Sequence, residues 1–212
     1  MTTDSPKISV ILAVHDQSQT IEQNLSQFLS PQGDIPYEVI VVDDSSADET
    51  PDILKRFKAD YPQLYTTFLP KSQVPNPSRL RLALTVGAKA AHGELILISD
   101  ICRPPLSDQW LDTLTSNIDK SADITLVYHD KSNTFQSWDT LDDAAPYILK
   151  AERKSKRGHR GRFFLFHRGL YSDVLVKRDL IHETVKLFDQ SVGGLRLLGL
   201  RFKVIWSNIL NR

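Results

Sequence analysis

Residues 38–50 read EVIVVDDSSADET, from Glu38 to Thr50. Val39 to Asp43 is almost entirely apolar and β-branched, which reads as a strand buried on both faces. It stops at two adjacent acids, Asp43 and Asp44, followed by Ser45 and Ser46. Thr50-Pro51 then opens a helix, with Thr50 as N-cap and Pro51 at the first helical position. In open α/β sheets, ligands sit beyond the carboxyl ends of the strands. Two acids at such an end can accept hydrogen bonds from a base or ribose, hold a metal, or simply cap the turn that follows.

The same pattern recurs on either side. Ile8 to Val14 is a buried-type strand, and His15 to Ser18 forms the polar loop at its end. Thr20 is placed as the cap of a helix whose Ile21, Leu25, Phe28 and Leu29 share a face, broken by Pro31, Gly33 and Pro36. Pro51 to about Asp60 is a helix with Ile53, Leu54 and Phe57 inward, and Tyr65 to Leu69 a short strand. Lys71 to Ser78 reads as a loop. Arg79 to Ala91 has helical spacing, with Leu80, Ala83, Leu84 and Gly87 on one side and Gly93 as its C-terminal stop. Leu95 to Ser99 is a fully apolar strand ending in Asp100. Ser107 is placed as the cap of a helix bearing Leu111, Leu114 and Ile118, and Ile124 to Tyr128 is another strand. Strand-helix alternation with short links predicts an α/β fold with a mostly parallel central sheet and helices on both faces.

Composition narrows the function classes. The chain has 212 residues, enough for one domain with a sizeable core, and a formal net charge of zero. That charge offers no global attraction to nucleic acid or anionic lipid. A lone cysteine, Cys102, excludes an internal disulfide and suits a reducing, cytoplasmic compartment. No apolar run approaches a membrane span, and the MTTDSPK start lacks a signal pattern. Walker A, G-x-G-x-x-G and nucleophile-elbow motifs are missing.

The segments SVILAVHDQSQTIEQNL, EVIVVDDSSADETPDIL and ALTVGAKAAHGELILISD, in that order, resemble the family 2 glycosyltransferases, which have the GT-A fold. The match covers roughly residues 6 to 115. The resemblance implies one domain over residues 1–212, with 6–130 as the nucleotide-sugar half and 131–212 as a shortened acceptor half. It puts Ala13, His15, Asp16 and Gln17 on the nucleotide-contacting loop, and Asp43 and Asp44 at the nucleoside. Arg79 and Arg81 fall where related enzymes place basic residues, facing either the diphosphate or solvent. Asp100 matches the first acid of the metal-binding Asp-x-Asp.

This chain departs from the family pattern at two points. Cys102 stands where the second carboxylate is expected, and a thiol is a poor ligand for Mn²⁺ or Mg²⁺, so cation binding should be weakened. Arg103 could bring positive charge to the diphosphate in its place; a small buried apolar role for Cys102 is the alternative. The segment YSDVLVKRDLIHETVKLFDQS resembles the family stretch that ends in Gly-x-Phe-Asp-Glu, with Asp189 and Gln190 on its final pair. The acids that normally follow, one of which deprotonates the acceptor, have no counterpart before LRLLGLRFKVIW. Asp189 and Asp173 are the nearest candidates for that base, against turn or cap chemistry for both.

Lys150 to Arg162, KAERKSKRGHRGR, concentrates positive charge. It is a solvated loop, a cationic lid over a diphosphate, or a contact with an anionic membrane or a lipid-linked phosphate. Without interleaved aromatics it is not a nucleic-acid module. Leu195, Leu197 and Leu198 are apolar residues that a partner subunit or second copy would cover. The expected function is transfer of a sugar from a nucleoside diphosphate sugar to a glycan or lipid-linked hydroxyl, in the cytoplasm or at the membrane's inner face. Such chemistry would serve cell-surface polysaccharide synthesis. The alternative is a non-catalytic protein that keeps the nucleotide-sugar pocket.

Overall fold

The computed structural model describes residues 7–71, 79–105, 107–118, 121–128, 136–140, 143–144, 146–147, 166–167, 170–186 and 201–206. The Lys150–Arg162 segment, Asp189, Gln190, Leu195, Leu197 and Leu198 lie outside these residues, as does most of the loop expected at Lys71–Ser78. Strands β1 (Ile8–Val14), β2 (Tyr37–Asp43), β3 (Leu64–Phe68) and β4 (Leu95–Ser99) alternate with helices α1 (Ser18–Leu29), α2 (Thr50–Asp60) and α3 (Arg79–Ala90). Helix α4 (Trp110–Ser116) and β5 (Ile124–Tyr128) follow. Then come β6 (Gln136–Trp138), β7 (Phe166–His167), β8 (Leu170–Lys177), a 3-10 turn at Arg178–Leu180, α5 (Ile181–Lys186) and β9 (Phe202–Trp206).

The sheet order is β3-β2-β1-β4-β8-β5-β9-β6, with β7 paired to β8. Along that path β8 and β6 run against the other described strands, so the sheet is mostly parallel, as expected. Register aligns the carboxyl ends: Val14 is level with Asp43, and Asp43 with Phe68. The chain passes from β1 to β2 on one side and returns across β1 to β4 on the other. This makes the β1/β4 boundary a topological switch point, where such sheets bind ligands.

Both faces are covered, which is why the strands read as continuous apolar runs. Ile11, Ile40, Val42, Ile96 and Ile98 meet Ala83, Leu84 and Ala88 of α3 and Ile181 and Val185 of α5. On the other face Leu12, Val39, Val41 and Leu97 meet Ile21, Leu25 and Phe28 of α1, Ile53 and Leu54 of α2, and Trp110, Leu111 and Leu114 of α4. Gly87 lets α3 close on β1: a Cβ there would sit 2.6 Å from Ile11 Cγ2.

Several helix-end assignments change. Helix α1 begins at Ser18 rather than after Thr20, and α2 includes Thr50, whose side chain does not cap it. Both ends are served by Asp48, whose carboxylate accepts from Ser18 N–H at 2.9 Å and Thr50 N–H at 3.0 Å. Helix α4 begins at Trp110, and Ser107 Oγ instead accepts Gln109 N–H. Gly93 is not a left-handed stop; its N–H donates to Ser9 Oγ at 2.8 Å, and a Cβ would lie 2.6 Å from Ser9 N. Leu80 is half-exposed, because the first turn of α3 reaches past the end of β2, where Arg79 bonds Asp44. Gln136–Trp138, short and polar, is a strand through its pairing with β9.

Candidate functional site

Three loops meet at the carboxyl edge, after β1, β2 and β4. Asp44 N–H donates to Val14 O at 2.8 Å, so the backbone ladder of β1 and β2 continues into the loops. Asp16 and Ser45 then adopt left-handed φ of 48° and 56°. Such conformations cost non-glycine residues on the order of 1 kcal/mol or more, and here bonds between the loops hold them. Asp16 N–H donates to Ser46 Oγ at 2.9 Å, and Asp16 Oδ1 accepts Ala47 N–H at 2.6 Å.

The adjacent acids have different tasks. Asp43 is buried, and its Oδ1 accepts both Ser46 N–H at 3.0 Å and Ser46 Oγ–H at 2.6 Å. That oxygen closes the turn, the plain capping role its position allowed. Asp44 is mostly shielded and accepts Arg79 Nε–H at 2.6 Å, with Arg79 Nη2 ion-paired to the same oxygen. Arg79 also donates to Ser45 Oγ and Pro70 O. It is thereby fixed at the β2 loop, whereas Arg81 is exposed on α3.

The β1 loop spans from this acid to the β4 loop. His15 Nδ1–H donates to Asp44 O at 2.7 Å, and its largely exposed ring brings Nε2 to 3.5 Å from Asp16 Oδ2. Two residues on, Gln17 N–H donates to Thr50 Oγ1 and Gln17 Nε2 to Cys102 Sγ, both at 3.2 Å. Asp100 folds its turn back on itself: Oδ1 accepts Cys102 N–H and its carbonyl accepts Arg103 N–H, each at 2.9 Å. Asn24 of α1 secures the turn by donating to Ile101 O at 2.9 Å, and Ile101 is buried. Asp44 and Asp100 thus stand on loops that His15 and Gln17 of the β1 loop tie together. Cys102 is exposed rather than buried, so the expected apolar role does not apply. Partial loss of hydration and the Asp100 charge push its thiol above the ordinary value.

Two further candidates lie within strands near the same edge. Ala13 is half-buried against the α3 side of the sheet. Asp173 lies on β8 opposite Val127, one register step beyond the Ile98–Val174 pair and so beside the end of β4, and it is 4% exposed. Asp48, Ser46 and Thr50 shape the site without having been singled out for it. The Ser- and Asp-rich run before Pro51 was the available signal, although its partners lie about thirty residues earlier.

A divalent cation fits this set poorly. Hard cations prefer oxygen ligands, and the second ligand position presents a sulfur that already accepts from an amide. Among the described residues no group of three His, Cys, Asp or Glu side chains is placed to hold a metal.

A mostly parallel α/β sheet with acids at its switch-point loops is the architecture that receives ligands beyond its strand ends. Glycosyl transferase family 2 matches residues 9–182, and the chain belongs to that family. Its fold is GT-A. A mannosyltransferase from Pyrobaculum calidifontis, solved with GDP-Man and Mn²⁺, is 20% identical with a TM-score of 0.60, over 97% of this chain and 58% of that one. TarS of Staphylococcus aureus with UDP-GlcNAc is 18% identical with a TM-score of 0.57, over 95% and 58%. Uncharacterised proteins of Mycobacterium tuberculosis and Mycobacterium bovis are 27% identical over 127 residues, 58% of this chain and 34% of their own length.

Proposed function

We propose that the crevice between Asp44 and Asp100 binds a nucleoside diphosphate sugar and that the chain transfers its sugar to a hydroxyl of a glycan or lipid-linked acceptor. The observation that supports this most is the β1 loop: His15 is bonded to the backbone of Asp44, and Gln17 to Cys102 beside Asp100. A donor laid along that loop would meet the nucleoside end at Asp44 and the diphosphate end at the Asp100–Arg103 turn. Arg79 engages one Asp44 oxygen and so orients the carboxylate; the other oxygen is suited to accept from a base N–H or a ribose hydroxyl. His15 offers a planar ring beside the same acid.

Catalysis in this reading rests on positioning and on stabilising the negative charge of the departing diphosphate. Arg103 is proposed for the second task. Asp189 is proposed as the base that takes the acceptor hydroxyl proton as the oxygen attacks the anomeric carbon. The Lys150–Arg162 segment would supply further positive charge, toward the diphosphate or an anionic membrane. A role in cell-surface polysaccharide synthesis at the inner membrane face follows from such acceptors. No helix among the described residues is long and apolar enough to cross a membrane.

Calorimetric titration with UDP, GDP and dTDP tests the reading. One of the three should bind, and Asp44→Ala should weaken it by more than about tenfold, or 1.4 kcal/mol. Turnover of the matching sugar nucleotide should fall with Asp189→Asn. Unchanged affinity in Asp44→Ala, or no binding by any of the three, would contradict the assignment.

A further inference from the structure

The Asp100–Arg103 turn occupies the place of the family's cation-binding acids, yet Asp100 Oδ1 and Cys102 Sγ are engaged with other partners. We propose that the donor site works without a divalent cation and that Cys102 is the residue that excludes it. This inference rests on the reading of the crevice as a nucleoside diphosphate sugar site.

Three features of the turn carry it. Sulfur replaces a carboxylate oxygen at the second ligand position, and Mn²⁺ and Mg²⁺ rank oxygen donors far above sulfur. That sulfur receives the Gln17 amide at 3.2 Å. An N–H₂ group carries partial positive charge, so a cation at the sulfur would have to displace Gln17 from the contact that ties the β1 loop to the β4 loop. Asp100 is similarly engaged, with Oδ1 2.9 Å from Cys102 N. A metal taken through Oδ1 would compete with the bond that closes the turn, which Asn24 and Ile101 also hold in place. One carboxylate is then left where two would share the charge of the ion.

The adjoining sequence supplies an alternative. Arg103 follows directly, with its N–H on the Asp100 carbonyl, so a permanently charged guanidinium belongs to the same turn. A permanent positive charge on that turn disfavours a second, divalent one and favours a diphosphate. Gln17 and Cys102 therefore act as positioning residues that keep the β1 and β4 loops together.

The test uses Mn²⁺ itself as the probe. Electron paramagnetic resonance measures uptake of free Mn²⁺ by the wild-type chain, Cys102→Asp and Cys102→Ser, with and without UDP or GDP. Calorimetry compares nucleotide affinity in Mn²⁺ and in EDTA. The wild type should take up no Mn²⁺ at the site and bind nucleotide equally, within about twofold, in both conditions. Cys102→Asp should gain Mn²⁺ binding and an Mn²⁺-dependent rise in nucleotide affinity. Wild-type uptake of Mn²⁺ that Cys102→Ser removes, or an Mn²⁺-driven rise in wild-type affinity beyond about tenfold, would overturn the proposal. A folded Cys102→Asp that gains nothing would overturn the assignment to Cys102; if that variant does not fold, the wild-type measurements decide. Failure of nucleotide to bind in any condition would refute the donor reading separately, because Mn²⁺ uptake is read on the free protein.

Discussion

Gly93 and Arg79 show how single residues hold the site's surroundings in place. The Gly93 N–H reaches Ser9 Oγ, which in turn donates to Glu38 Oε1 at 2.6 Å, so the α3–β4 link is sewn to β1 and β2. A Cβ at Gly93 would meet backbone, which cannot rotate away. Gly93→Ala is expected to cost about 2 kcal/mol or more of stability, read as a lower urea midpoint, with nucleotide affinity unaffected. Arg79 differs in that its guanidinium shares a largely buried pair with Asp44. Arg79→Ala should cost about 1–2 kcal/mol, and unlike Gly93→Ala it should also weaken UDP or GDP binding, because Asp44 loses the group that orients it. A loss of stability without a loss of affinity would place Arg79 outside the nucleoside site.

At the level of elements, Asp48 gathers the starts of α1 and α2 on one carboxylate. Burial acts to raise its pKa, but hydrogen bonds from Ser18 and Thr50 outweigh burial and hold it far below the ordinary range. A depressed folded pKa gives stability that is complete above the unfolded value of about 3.9 and is lost as pH falls below it. Asp48→Asn should therefore lower the urea midpoint at neutral pH, by about 1 kcal/mol, and flatten the fall in stability below about pH 4. The same carboxylate explains what sequence reading could and could not recover. Strands β1, β4 and β5 were legible to the residue because burial on both faces writes an unbroken apolar run. The start of α3 was also legible, at Arg79, but the start of α1 was not, because Ser18 is served by a residue thirty positions later rather than by a neighbour. Strand β6 was illegible because QSW is short and polar, and only β9 makes it a strand. At the site, the acids and the Cys102 substitution were visible as residue types. The division between Asp43 as turn-former and Asp44 as partner of Arg79 was not, since it depends on where the turn points each carboxylate.

Across the whole molecule, the β3-β2-β1-β4 part of the sheet continues into the second half through β8, which runs antiparallel between β4 and β5. A clamp holds the far end of that junction. Asp123 accepts Arg201 Nη2–H at 2.8 Å, Arg201 N–H at 3.0 Å and Lys177 Nζ–H at 3.3 Å, tying β5, β8 and β9 together. The Arg201 bonds, aided by Lys177, keep its carboxyl well below the ordinary range against the opposing effect of burial. Asp123→Ala should cost about 1–2 kcal/mol at neutral pH, discounted because Arg201 is exposed. The loss should shrink as pH falls below about 4, since acid removes the same charge from the wild type. The claim that unites the account is that the three carboxyl-end loops form one donor crevice, and backbone amide mapping by NMR tests it most directly. Titration with the nucleoside diphosphate that binds should shift the amides of residues 14–17, 44–46 and 100–103 together, with one saturation curve. Shifts confined to one loop, or gathered elsewhere on the molecule, would contradict it.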